Sequence, residues 1–179
     1  MTRVVAVVQA RLGSTRFPNK ILEKIGGQTI LGFFINRLKH SRSLNCIVIA
    51  TTTDPKDDVI ADLALRLNVG CFRGSEQDVL DRTYKAAAEA KAGVIVRVTS
   101  DCPFNDPFLI DEMVAKFNES NCDYLCNRMP PSFPDGFDIE VFSFFALEQA
   151  WKNARLKFER EHVTPYISDR PDLFKLKSI

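Results

Sequence analysis

Three runs constrain this chain most: "RVVAVVQ" (3–9), "CIVIATTT" (46–53) and "GVIVRVTSD" (93–101). Each is nearly continuously apolar, with little of the alternation that a half-exposed strand shows. Strands of that kind are covered on both faces, as in the centre of a parallel sheet. Helical patterns separate them. "TILGFFINRLKHS" (29–41) puts Ile30, Phe33, Phe34, Arg37 and Leu38 at helical spacing on a mainly apolar face. "DPKDDVIADLALRLNV" (54–69) has Asp54 as a cap, Pro55 at the first position and acids in the first turn. "SEQDVLDRTYKAAAEA" (75–90) starts with Ser75 and has Asp78 three residues on, like a capping box. "DPFLIDEMVAKFNES" (106–120) repeats the Asp-Pro start. "GCFRG" (70–74), "CDYLCN" (122–127) and "FDIEVFS" (137–143) read as further strands, the last alternating. "FFALEQAWKNA" (144–154) and "REHVTPYIS" (160–168) read as helices, the second interrupted at Pro165.

Alternating strands and helices with short links predict an α/β fold, a Rossmann-like, mostly parallel sheet sandwiched by helices. A length of 179 residues fits one domain, 1–179. The turn-rich "NRMPPSFPDG" (127–136) holds three of the nine prolines and reads as a small protruding arm, not a domain boundary.

Net charge is +1, so an anion site on this chain must be local; a basic face for nucleic acid is not expected. Apolar runs fall far short of the roughly 20 residues that span a bilayer, and the N-terminus shows no signal-peptide pattern. Five cysteines without paired spacing point to reduced thiols and a cytoplasmic protein. Cys122 and Cys126 are expected on one strand face, buried there rather than binding metal.

One loop asks for a ligand. "ARLGSTRFPNK" (10–20) leaves the first strand with Arg11, Arg16 and Lys20 crowded around Gly13-Ser14-Thr15. Ligands in open α/β sheets bind beyond the carboxyl ends of the strands. Gly13 permits close backbone approach, the arginines offer planar forks to phosphate oxygens, and Lys20 offers a mobile charge. It is neither a Walker loop nor a G-x-G-x-x-G fingerprint. A solvated basic surface loop is the alternative.

The loop resembles the signature of the sugar-acid cytidylyltransferases, a family that includes the CMP-sialic acid and CMP-KDO synthetases. The spore-coat polysaccharide branch is the nearest in pattern. "ATTTDPKDDVIADLA", "FRGSEQDVLDR", "VRVTSDCPFNDP", "FPDGFDIEVFS" and "EREHVTPYI" resemble that branch in the same order along nearly the whole chain. The resemblance implies a nucleotide-diphospho-sugar transferase fold and transfer of CMP from CTP to a sugar acid, with pyrophosphate released. It implies that Arg11, Gly13, Ser14, Arg16 and Lys20 bind the triphosphate, with Arg11, Lys20 and Asp101 catalytic and Asp101 holding magnesium. It implies that Arg73 and Ser75 contact cytosine and ribose, although Ser75 also serves as a plain helix cap. Asn127, Asp138, Glu140, Arg160 and His162 are candidates for the acceptor side, with a solvated strand face as the alternative for Asp138 and Glu140 and a structural role as the alternative for His162. A homodimer with 127–143 as its contact arm is likewise implied.

The chain also departs from that pattern. It stops at "LFKLKSI", before the strand and "V-D-T-P-E-D" type segment that carries a second magnesium carboxylate in the family. The expectations are therefore a full enzyme in which Asp138 or Glu140 compensates, a truncated or weakly active CTP-binding domain, or a nucleotidyltransferase with another base or acceptor.

Overall fold

The structure is a computed structural model that describes residues 2–13 and 17–179. Its elements are β1 (Val4–Gln9), β2 (Lys24–Ile25), β3 (Gln28–Thr29), α1 (Ile30–Leu38), β4 (Cys46–Thr52), α2 (Asp58–Arg66), β5 (Gly70–Gly74), α3 (Val79–Glu89), β6 (Val94–Thr99), α4 (Pro107–Ser120), β7 (Tyr124–Cys126), β8 (Glu140–Ser143), α5 (Phe144–Asn153), α6 (Lys157–His162), α7 (Pro165–Ser168) and β9 (Leu176–Ser178). Short 3-10 turns occupy Lys20–Leu22 and Pro55–Asp57.

Seven strands form one sheet in the order β5-β4-β1-β6-β8-β7-β9. β5, β4, β1 and β6 run parallel, β8 is antiparallel to both its neighbours, and β9 is parallel to β7. The three Val- and Ile-rich runs are three adjacent interior strands, β4, β1 and β6, as their two-sided apolar character requires. Strand periodicity then sorts their side chains. Val4, Ala6, Val8, Val94, Val96 and Val98 join one core with residues of α1, α2 and α4. Val5, Val7 and Ile95 join the other with residues of α3, α5 and α7. The chain leaves β1 toward β4 and β5, then returns to β6 on the other side of β1. That reversal of strand order opens a crevice beyond the carboxyl ends of β1 and β6.

Local signals hold at several ends. Asp54 and Asp106 accept the amides of Lys56 and Phe108, each with Pro at the next position. Pro165 separates α6 from α7. Elsewhere the structure corrects the reading. The helix expected from Ser75 starts at Val79, and its capping side chain is Asp78, which accepts the Asp81 amide. The buried face of α1 is Leu31, Phe34, Ile35 and Leu38, while Phe33 and Arg37 turn toward Phe104 and its neighbouring carbonyls. Cys122 lies outside β7 and packs on the first core, whereas Cys126 belongs to the second, so they do not share a face. All five cysteines are free thiols. β8 begins at Glu140, so Asp138 is not in a strand with it and the shared-face argument for that pair fails. The hairpin β2–β3 and the closing strand β9 were not expected at all.

Asn127 closes the base of the arm. Its amide nitrogen donates to the Phe137 carbonyl at 2.8 Å and its oxygen accepts the Ile139 amide at 2.9 Å. Among the described residues, no helix is long and apolar enough to cross a membrane.

Candidate active site

The crevice is built from two strand ends with their loops and from two helices. Gln9, Ala10, Arg11, Gly13, Lys20 and Ile21 come from β1 and the loop after it. Arg97, Thr99, Ser100 and Asp101 come from β6 and its turn. Val79 and Arg82 of α3, with Glu161 and His162 of α6, form the far wall around a cavity of about 420 Å³. That volume suits a nucleotide-sized ligand.

Two expected residues meet at its mouth. Lys20 Nζ lies 2.8 Å from Asp101 Oδ2, joining the loops after two adjacent parallel strands. Burial pushes the Asp101 carboxyl up, but hydrogen bonds from Lys20 and Thr99 outweigh it and leave the group below its ordinary value, hence ionised at neutral pH. Arg11 pairs with Glu76 at 3.1 Å across the same mouth. Both pairs are partly solvated and contribute little to stability. They hold cations near the cavity without sealing them in. A Cβ on Gly13 would lie 3.1 Å from Glu76 Oε1, so the backbone runs close to that carboxylate. Ser14 and Arg16 lie outside the described residues.

The loop after β1 is anchored from beneath. Asp57 is fully buried, accepts the Leu12 amide at 2.9 Å and accepts the Thr52 hydroxyl. This buried acid was missed: in "DPKDD" it reads as one of several first-turn acids, and only the fold turns it inward. Arg82 was missed for the same reason. It is 2% exposed, donates to the Ser75 carbonyl, and leaves its buried Nε without a partner among the described residues. Burial, then repulsion from Arg11, lowers its guanidinium to about 10, so it remains charged at neutral pH. A buried cation beside a cavity, repelled by a second cation, has a ready partner in an anion.

Of the other expected residues, all but His162 lie apart from the cavity lining. Arg73 is spent on the β4–α2 link: it donates to the Thr52 and Asp54 carbonyls at 2.9 and 3.0 Å and pairs with Asp58. Ser75 accepts the Asp78 amide at 3.0 Å. Arg160 holds Asp78 and the Trp151 carbonyl. Glu140 is 3% exposed and takes donors from Arg97, Tyr124 and Thr164. His162 is exposed, its ring 4.7 Å from that of Phe158, and reaches the crevice. Asp138 is half-buried, close enough with Asp135 to help raise the Cys102 thiol, although burial is the larger cause.

For magnesium, the donor at hand is the Asp101 carboxylate. Its position already faces a cation, the Lys20 ammonium, and Mg²⁺ commonly uses one or two carboxylates plus the phosphates of its nucleotide. The residues present fit an ion of that kind. Among the described residues, no group of three or more His, Cys, Asp or Glu is arranged around a metal position.

The cytidylyltransferase family model matches residues 5–178. An uncharacterized protein of Methanocaldococcus jannaschii is 45% identical over 97% of this chain and 70% of its own length. The spore coat polysaccharide biosynthesis protein SpsF of Bacillus subtilis is 34% identical over 99% of this chain and 75% of its own. A solved cytidylyltransferase from Leptospira borgpetersenii superposes with a TM-score of 0.95 at 38% identity, covering all of this chain and 76% of that one. CMP:2-keto-3-deoxy-manno-octonic acid synthetase, solved with CTP, shares the fold with a TM-score of 0.75 at 14% identity, over 99% of this chain and 90% of that one. The chain belongs to the cytidylyltransferase family.

Proposed function

We propose that this chain transfers CMP from CTP to a sugar acid, releasing pyrophosphate, in the synthesis of a surface polysaccharide or related glycan. The observation that carries the reading is the convergence of Lys20 and Asp101 at the mouth of the crevice. In this reaction an acceptor hydroxyl oxygen attacks the α-phosphorus. A new P–O bond forms, the hydroxyl proton passes to solvent, and the bond to the bridging oxygen of pyrophosphate breaks. Negative charge grows on the leaving group, where Lys20 and Arg11 are placed to neutralise it. Both cations are paired with carboxylates here, and phosphate oxygens take over as partners when the triphosphate enters. Asp101 would hold Mg²⁺, which when bound supplies charge neutralisation at the phosphates. The acceptor enters from the side of β8 and the arm, and the exposed Met129 and Phe133 give that arm an apolar surface for a second copy.

A thermal-shift panel with CTP, UTP, ATP and GTP, with and without Mg²⁺, tests the nucleotide half. A ligand at a hundred times its Kd stabilises by about 2.7 kcal/mol, so CTP should raise the melting midpoint by several degrees and Lys20→Ala should remove most of that rise. An equal response to all four nucleotides, or to none, overturns the reading. Pyrophosphate release with CTP and a panel of sugar acids, neutral sugars and sugar phosphates tests the acceptor half; turnover confined to the last two classes rejects a sugar acid.

A further inference from the structure

A second cavity, of about 440 Å³, lies beside the crevice between β8, the arm and α6–α7, and includes Arg128, Met129, Phe158, Thr164 and Asp169 in its wall. Arg97 and His162 line both spaces. Arg97 is the more unusual of the two. It stands in the middle of a central strand, between Val96 and Val98, where a charged side chain needs a reason.

Its bonding shows an arginine held in place yet incompletely used. Nη1 donates to Glu140 Oε2. Nη2 donates to Gln9 Oε1 over a long 3.3 Å, and the buried Nε has no partner among the described residues. A guanidinium has five N–H donors and usually meets a carboxylate with two parallel bonds. Here Glu140 takes one. Its other oxygen is occupied by Tyr124 Oη at 2.6 Å and Thr164 Oγ1 at 2.7 Å. Glu140 is thus clamped from β7 and the α6–α7 link, and it pins Arg97 at the seam between two cavities. A pair kept for stability alone is readily replaced by apolar residues.

We propose that Arg97 contacts the phosphate that is transferred, at the seam where nucleotide and acceptor meet. The inference rests on the cytidylyltransferase reading above, since it takes the first cavity as the nucleotide's and the second as the acceptor's. Reacting groups from the two spaces must meet where the spaces join, and the joining guanidinium has donors left for a phosphate oxygen. Glu140 acts through Arg97 as a positioning residue.

The test measures the affinity of cytidine, CMP and CTP by calorimetry, on wild type, Arg97→Lys and the double variant Arg97→Gln/Glu140→Gln. Arg97→Lys keeps a charge opposite Glu140 but loses the fork. The double variant removes both charges together, so no buried ion is stranded. Melting midpoints identify the folded variants. CMP and CTP should bind at least tenfold more weakly to the variants, with cytidine affinity unchanged. A folded variant that binds CMP like wild type, or that loses cytidine by the same factor as CMP, overturns the inference. Wild-type protein that binds none of the three overturns the cytidylyltransferase reading itself, which is a separate failure.

Discussion

The two faces of the sheet differ in kind. On the face toward α1, α2 and α4, β1 and β6 present only aliphatic side chains: Val4, Ala6 and Val8, and Val94, Val96 and Val98. On the face toward α3, α5 and α7 the apolar pattern stops short of the carboxyl ends. Val5 and Val7 give way to Gln9, and Ile95 to Arg97 and Thr99, while Glu140 sits beside Arg97 on the neighbouring strand. Gln9 links this band onward to Thr83 of α3. The first face supplies burial and little else. The second gives up part of its apolar area for a row of polar groups, and that row runs under the crevice. Polar groups are therefore concentrated on one face at one end of the sheet, beneath the crevice.

Neighbouring positions test how strict that division is. Val96→Asp puts a carboxylate on the uniformly apolar face, one residue from Arg97 but facing away from it. An unpaired buried ion costs several kcal/mol after relaxation, comparable with the whole stability of a domain, about 5–15 kcal/mol. The variant should lose its cooperative unfolding transition, measured by circular dichroism. A folded Val96→Asp protein would show that the first face tolerates charge as the second does.

Glu140→Gln comes next in size. It strands the Arg97 charge in a buried site, and breaking one side of such a pair typically costs about 3–5 kcal/mol. The pH dependence follows in sign. Burial pushes the Glu140 carboxyl up, but Arg97 and the hydrogen bonds from Tyr124 and Thr164 outweigh it, so its folded pKa lies below the ordinary 4.5. A depressed carboxylate stabilises fully above its unfolded value and loses that contribution as pH falls through the folded one. The gap between wild type and Glu140→Gln in urea midpoint should thus be widest near pH 7 and shrink below 4.5. A gap independent of pH would mean that the carboxylate charge does not stabilise the fold.

The first face was legible in the sequence and the second only in part. Continuous apolar runs announce strands covered on both sides, and Asp-Pro pairs announce helix starts, because both signals are local. Lys20 and Asp101 were both expected in the triphosphate site, Asp101 through the family resemblance, but their direct contact was not. Arg82, Arg97 and Asp57 were not anticipated, since their burial depends on which elements pack over them. Asn127 and Arg73, expected at ligands, bond to backbone carbonyls of Phe137 and Thr52. The Gly26-Gly27 pair, with φ of 56° and 82°, was readable as a tight hairpin turn, but its strands of two residues carry no period. β9 is equally short, and what makes it a strand is its pairing with β7 rather than any pattern of its own.

The smallest effect is expected at the edge of the polar band. Gln9→Leu extends the apolar pattern of β1 by one position and removes two hydrogen bonds, to Thr83 and from Arg97, each 3.3 Å long. The Thr83 bond is neutral and the Arg97 bond is charge-assisted; both are long and lie at the weak end of their usual ranges, about 0.5–1.5 and 1.5–3 kcal/mol, and added apolar burial offsets part of the loss. The urea midpoint should therefore move by no more than about 2 kcal/mol in equivalent stability. Ligand affinity separates the two roles of the band. If Gln9 helps orient the Arg97 guanidinium, CMP should bind a few-fold more weakly while cytidine binds as before. A large stability loss would instead mean that the polar row stabilises the fold in its own right, and the contrast between the faces would then be one of packing chemistry rather than of function.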